Sequence, residues 1–356
     1  MKIGLSLSGG GIRATIFHLG ICKYLAEKTL LSSVTHISSV SGASLCGALI
    51  FAKSGNKWPS DAGFLRDVLP EIRQTILKNN IQTAALLKLP FSPAYWGHRA
   101  ALIAKVMQEK WGITGTMRDL PEEPLWEINC TTFETGKDFR ISRQKMGDYI
   151  LGYVKNPDLP IASAAAASAG FPILIGPLKL DAKKYTWTET PPGAPSEDSY
   201  YLWDGGVYDN LGLESLYKPG TGLTKGIDFL VLSNASCPSG YLHRNGFSSA
   251  KNLKRLLDIS MDQVSALRSR DIGIHVLKEN KGLYVNIGNS AEKIADDAKV
   301  DAETKQRLIN ACMPPKDAAF VKNYQTTLDS PTPENFDLIL RHGYENALCC
   351  YTCFMP

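Results

Sequence analysis

Apolar and small residues alternate at the start of the chain. Ile3, Leu5 and Leu7 are separated by Gly4 and Ser6, the period of a strand. The alternation stops at Gly9-Gly10-Gly11, after which Ile12, Ile16, Leu19, Cys22 and Ala26 recur on one helical face. Thr35 to Val40 reads as a second strand, and Leu45, Cys46, Leu49 and Ile50 resume helical spacing. Strand, helix, strand, helix in this order predicts parallel strands with a crossover connection.

Residues from about 58 to 119 read as mainly helical, punctuated by Pro59, Pro90 and Pro93. The aromatics Phe91, Tyr95, Trp96 and Trp111 in this stretch are expected to pack between helices. Trp126 to Phe133 and Phe139 to Ser142 flank Glu134-Thr135-Gly136 as a hairpin. The run from Ala162 to Gly170 is nearly all alanine and serine, which lets a helix approach another backbone closely. Residues 180 to 199 are polar, with Pro191, Pro192 and Pro195, and read as a surface loop. Strands are expected again at Tyr200 to Trp203, Phe229 to Leu232 and Leu283 to Ile287. Between the last two, Leu253, Leu257, Met261, Val264 and Leu267 predict an amphipathic helix with that stripe inward. Strands that keep returning suggest one sheet threaded by the whole chain, hence a single domain over residues 1–356.

Composition changes this picture little. Apolar residues make up 44% and charged ones 21% of 356, enough for a sizeable core. A net charge of +4 spread along the chain argues against a dedicated nucleic-acid binder. The eight cysteines show neither a disulfide framework nor zinc-ligand spacing, and Cys22 and Cys46 sit inside apolar helix patterns. Cys349, Cys350 and Cys353 close the chain without a prenylation ending, so reduced thiols are expected. No metal or other cofactor is called for. Met1-Lys2 leads directly into the first strand, with no room for a secretory leader. The longest apolar runs, such as Ala43 to Ala52, are too short to span a bilayer. A cytoplasmic protein is the expectation, at most peripheral to a membrane.

Three segments carry candidate chemistry. Gly9-Gly10-Gly11 follows a strand and opens a helix, so its backbone amides and the helix dipole can hold negative charge. Ser41 lies between Ser39-Val40 and Gly42-Ala43, at a strand-to-helix bend with small neighbours. That is the mechanics of a nucleophile elbow, although Ser39 and Ala43 replace the usual glycines. Such a serine can also be a helix cap, a role open to Ser44 as well. The third segment is Asp204-Gly205-Gly206, just past a strand, with Asp209 as a competing carboxylate.

Together these segments resemble the patatin-like phospholipase family: Gly9-Gly10-Gly11-Ile12-Arg13, then Val40-Ser41-Gly42, then Asp204-Gly205-Gly206. Residues Asn129 to Gly136 and the small-residue run before Phe171-Pro172 add to the likeness, which covers about Lys2 to Leu213. The resemblance implies a three-layer α/β/α sandwich with a mainly parallel sheet. It implies a Ser–Asp dyad in which Asp204 deprotonates Ser41, and an acyl-serine intermediate formed on a phospholipid or related acyl ester. Gly9, Gly10 and Gly11 would form the oxyanion hole, with Gly42 and Arg13 in support, Arg13 shaping the turn or neutralising phosphate or oxyanion charge. Calcium independence is expected with it.

A triad would need a histidine, and His18, His36 and His342 are the candidates weighed; none occupies a recognisable loop motif, so the dyad is preferred. Nucleotide binding at the glycines is disfavoured, because no Lys-Ser/Thr follows them and no G-x-G-x-x-G spacing occurs. A catalytically inactive lipid- or effector-binding member of the same fold is the alternative. Arg244, Lys251, Lys254 and Arg255 read first as a solvated basic face, the preferred reading, and second as a contact for anionic lipid head groups. With a phospholipid substrate, transient contact with a membrane surface is expected.

Overall fold

The computed structural model describes residues 1–172, 175–237, 240 and 250–355, without the side chains of Ala250, Lys251 and His275. Its strands are β1 (Ile3–Leu7), β2 (Val34–Val40), β3 (Leu125–Thr132), β4 (Asp138–Ile141), β5 (Lys145–Asp148), β6 (Gly152–Lys155), β7 (Leu178–Asp181), β8 (Trp187–Thr188), β9 (Ser199–Asp204), β10 (Tyr217–Lys218), β11 (Gly222–Leu223), β12 (Phe229–Asn234) and β13 (Gly282–Asn286). All but the β10–β11 pair join one sheet in the order β13-β12-β1-β2-β3-β4-β5-β6-β8, with β9 on β3 and β7 on β9.

From β13 to β3 every neighbour is parallel, as the early alternation of strand and helix requires. Beyond β3 the pairs are antiparallel, beginning with the expected hairpin to β4. The polar stretch 180–199 is more ordered than a loop. It contains the end of β7, a short turn of 3-10 helix at Ala182–Lys184, and β8 paired with β6.

The helices are α1 (Gly11–Glu27), α2 (Gly42–Lys53), α3 (Asp61–Gly63), α4 (Leu69–Lys78), α5 (Ile81–Lys88), α6 (Ala100–Trp111), α7 (Ile161–Ser168), α8 (Gly206–Asp209), α9 (Ala250–Ile272), α10 (Ala291–Ala298), α11 (Ala302–Ala311), α12 (Pro315–Asn323) and α13 (Pro333–Phe354). The strand alternation divides their contacts into two cores. Phe229 and Val231 of β12 point into the main core with Ile3, Leu5 and Leu7. Leu230 and Leu232 point the other way, into a smaller core with Leu211, Leu216, Ile227 and Ile272. Gly4 and Ser6 serve that second face of β1: a Cβ at Gly4 would lie 2.6 Å from Ile227, and the Ser6 hydroxyl donates to the Leu211 carbonyl at 2.7 Å. Burial on both faces is the physical meaning of the layered α/β fold.

Helix α1 is buried on almost every side, not on the single face its spacing predicts. The other face is covered by α13. A Cβ at Gly20 would stand 2.1 Å from the Leu340 carbonyl oxygen, and one at Gly343 would stand 2.0 Å from that of Phe17. The two helices therefore meet backbone to backbone, and α1 is clamped between sheet and α13. The inward stripe expected on α9 is also corrected: Leu253 and Leu267 are exposed, while Leu257, Met261 and Val264 are half-buried.

Candidate active site

The carboxyl ends of β1, β2 and β9 converge, and the three candidate segments follow them. Ser41 stands between β2 and α2 with φ +53° and ψ −118°, a strained backbone for a residue with a side chain. Neighbouring bonds hold it there. Its amide donates to Ser168 Oγ at 2.9 Å, and its carbonyl accepts from the amides of Ser44 and Leu45. Ser168 is itself oriented, because its one hydroxyl proton goes to the Asn129 carbonyl at 2.7 Å. Ser44 must then donate to Ser168, Ser39 to Ser44, and the Trp126 indole to Ser39, at 2.8–2.9 Å. This relay of buried hydroxyls uses the two serines that depart from or follow the elbow pattern. It gives Ser44 a role other than helix cap.

Small residues let the motifs interlock. A Cβ on Gly42 would lie 2.1 Å from the Gly11 carbonyl oxygen, and one on Gly9 would lie 3.0 Å from Ser41 Cβ. The Gly9 amide is already committed to the Asn210 carbonyl at 3.1 Å. Gly9 is therefore corrected from oxyanion donor to spacer. The Ile12 amide is likewise taken, by the Thr327 carbonyl at 2.8 Å. Among the described residues, the Gly10 and Gly11 amides have no acceptor. Both border the same cavity as Ser41 and Asp204.

Arg13 is buried, and it borders the same cavity. Its guanidinium donates to the carbonyls of Ala235 and Tyr324, tying the glycine turn to segments after β12 and after α12. These contacts serve the expected shaping of the turn.

Asp204 ends β9 and is buried. Its Oδ1 accepts from the Gly206 amide at 2.8 Å, the first turn of α8. Burial pushes the carboxyl up to about 7, opposed by that amide and by the nearby Ser41 hydroxyl. Oδ2 is buried and completes no hydrogen bond. The competing Asp209 is occupied elsewhere: its carboxylate accepts from the amides of Leu211, Leu213 and Glu214 and faces Arg268.

The three candidate histidines are engaged elsewhere. His18 Nε2 lies 2.9 Å from the Ser8 carbonyl and must donate there, leaving Nδ1 to accept from Ser233. Burial lowers it to about 4, so it stays neutral. His342 Nε2 accepts from the Gly288 amide, and His36 lies within β2. None borders the cavity of Ser41. All eight cysteines are free. Among the described residues, no group of three His, Cys, Asp or Glu side chains is placed to hold a metal ion.

The cavity measures about 790 Å³. One wall is apolar, with Leu86, Leu89, Leu102 and Ile103 from α5 to α6 and Phe171 after α7. Another is α9, through Lys254, Asp258, Met261 and Asp262. Lys254 pairs with Asp258 at 2.6 Å. Arg244 lies outside the described residues, so the expected basic cluster is represented only by its later members.

A third wall was not legible in the sequence. Residues 325–329 form a strap across the glycine turn, stitched to α5 by Gln82. Gln82 Oε1 accepts from Thr327 Oγ1 at 2.8 Å and the Leu328 amide at 2.9 Å, and Nε2 donates to Asp329 at 2.6 Å. No local pattern marks residues so far apart as neighbours.

This is an α/β protein in which a half-buried Ser41, a buried Asp204 and two free glycine amides border one cavity. Residues 5–217 match the family described as patatin-like phospholipase. The chain belongs to that family. Among solved structures, human GIVD cytosolic phospholipase A2 superposes with a TM-score of 0.53 at 13% identity, over 99% of this chain and 62% of that one. The same human protein in complex with methyl gamma-linolenyl fluorophosphonate and terbium chloride gives 0.50 at 13% identity, over 99% and 59%. VipD from Legionella pneumophila gives 0.44 at 16%, over 99% and 67%. At such identities the likeness concerns the fold. The chain spans about three fifths of the length of the human phospholipase. Among curated proteins no match is found.

Proposed function

We propose that this protein is a lipid acyl hydrolase that cleaves fatty-acyl esters through an acyl-serine intermediate. The observation that carries the reading is the buried Asp204 carboxyl beside Ser41 and the free Gly10 and Gly11 amides, all bordering one largely apolar cavity. Asp204, once ionised, takes the Ser41 proton as Oγ attacks the ester carbonyl. The tetrahedral oxyanion is held by Gly10 and Gly11, where losing one donor costs about 3 kcal/mol. Asp204 then returns the proton to the departing alcohol. A water deprotonated by the same carboxylate releases the fatty acid. No cofactor enters these steps. We read the chain as one folding unit that works in the cytoplasm and meets its substrate at a membrane surface.

An inactive binding member of the family is the competing reading, favoured by the unfilled Asp204 Oδ2. A fluorophosphonate probe separates them. Covalent labelling of the parent, absent in Ser41→Ala, is the expected result. An unlabelled, folded parent overturns the hydrolase reading.

The strap adds a prediction. Gln82→Ala is expected to lower kcat/KM on a soluble ester by roughly tenfold, because the Thr327 carbonyl that anchors the glycine turn loses its support. Gln82→Glu keeps the acceptor but places a carboxylate against Asp329, and is expected to be no better. Unchanged kinetics in both variants would remove the strap from the oxyanion hole.

A further inference from the structure

The aromatic stretch after α5 does not pack as its sequence suggests. Trp111 is buried, but Phe91 is 87% exposed and Trp96 62%, with Leu86 at 60% and Leu87 at 70%. Large apolar side chains held this far into water are uncommon and mark contact surfaces. Trp96 is tied back onto its own segment. The Trp96 indole donates to the Leu89 carbonyl at 2.9 Å, and two short 3-10 turns at Leu89–Phe91 and Pro93–Tyr95 shape the segment. These contacts reduce the ordering cost of presenting Trp96.

Charge points to the occupant. No Asp or Glu occurs between Ile72 and Gln108, whereas Arg73, Lys78, Lys88, Arg99 and Lys105 do. Arg73 pairs with Asp337 and Lys88 with Glu109. Lys78, Arg99 and Lys105 stand outside the ion pairs among the described residues. An apolar, aromatic wedge with unpaired cations fits an anionic lipid surface, where each nearby cation contributes about 1 kcal/mol. Position decides between a bilayer and a second protein. Leu86, Leu89 and Arg99 also border the Ser41 cavity, and α9 on another wall exposes Leu253, Leu256 and Ile259 beside its lining residues. A protein seated here would cover the entrance, whereas a bilayer would supply it.

We propose that the end of α5 and the α5–α6 connection, led by Leu87, Phe91 and Trp96, insert into the interface of an anionic bilayer and set the cavity mouth against the lipids. This rests on the lipid-substrate reading, and its test needs no turnover. The full chain carrying Ser41→Ala is sedimented with phosphatidylcholine vesicles with and without phosphatidylglycerol. The expected result is binding that rises with phosphatidylglycerol and falls about tenfold or more in Leu87→Ser/Phe91→Ser/Trp96→Ser. None of those three residues borders the cavity. With Ser41 intact, the triple variant is therefore expected to hydrolyse a short soluble ester like the parent while losing activity on vesicles. Brominated acyl chains should quench tryptophan emission in the parent and less in Trp96→Phe. Vesicle binding unaffected by the triple change, or a parent that does not bind vesicles, overturns the proposal. So does a parent that self-associates through these residues without binding lipid. Vesicle binding by a protein that hydrolyses nothing would overturn the catalytic reading and leave this surface standing.

Discussion

Replacing Ser41 by alanine is expected to lower acyl-ester turnover by about 10⁴-fold or more while moving the melting temperature by no more than about 2 °C. The separation of the two effects follows from what holds the residue. Every bond that pins the elbow is made by the Ser41 amide or carbonyl, to Ser168 Oγ and to the amides of Ser44 and Leu45. Alanine keeps all of these and keeps the Cβ that packs on Gly9. Only the hydroxyl is lost, and with it the atom that would carry the acyl group. Turnover is checked with a soluble ester and with phospholipid vesicles, and the fold by circular dichroism through a melt. Residual turnover near the parent's would mean that another group is the nucleophile.

Asp204→Asn is expected to abolish turnover and to change how stability depends on pH. A base must be ionised to act, and burial holds this carboxyl at about 7. The parent's kcat/KM should therefore rise about tenfold per pH unit below 7 and level off above about 8. Stability runs the opposite way. The unfolded carboxyl ionises near 3.8, the folded one near 7, so the folded chain holds the extra proton between them. Stability contributed by this group is therefore lost as pH climbs through that window and stays lost above it, on the order of 4 kcal/mol. Asparagine carries no charge to bury, so the variant should melt above the parent at pH 8 and gain little at pH 4. Melting curves across pH 4–9, set beside the pH–rate profile, check both signs. A flat rate profile would remove Asp204 as the base.

Both predictions concern residues that could be found without a structure, and the reason is local. A glycine turn after a strand, a serine between a strand and a helix, and an Asp-Gly-Gly after a strand each announce themselves within a few residues. The parallel order of the first strands was legible for the same reason, since alternation and helical spacing are short-range patterns. Donor assignment was not legible. Which amides of the turn stay free for an oxyanion depends on carbonyls supplied by Asn210, which takes Gly9, and Thr327, which takes Ile12, and no spacing predicts those encounters. The same holds for Ser168, whose place behind Ser41 required β2, β3 and α7 to be assembled first.

Burial shows the contrast again. Period-3.6 spacing marks one face of α1, yet α13 covers the opposite face through Gly20 and Gly343, and α1 becomes core all round. On α9 the same kind of spacing misdirects, because the cavity rather than the core receives Lys254, Asp258 and Met261, and Leu253 is left in water. Phe91 and Trp96 read as packing residues and instead stand exposed to water.

By itself the sequence determined which residues hold the candidate chemistry and which strands carry them, because backbone conformation and side-chain type are chosen within a turn or two of chain. Only the tertiary structure decided which glycine amides remain free, how far burial lifts Asp204, and which apolar side chains stay outside. Those outcomes depend on desolvation and on partners brought from hundreds of residues away, as the Thr327 carbonyl on the Ile12 amide illustrates.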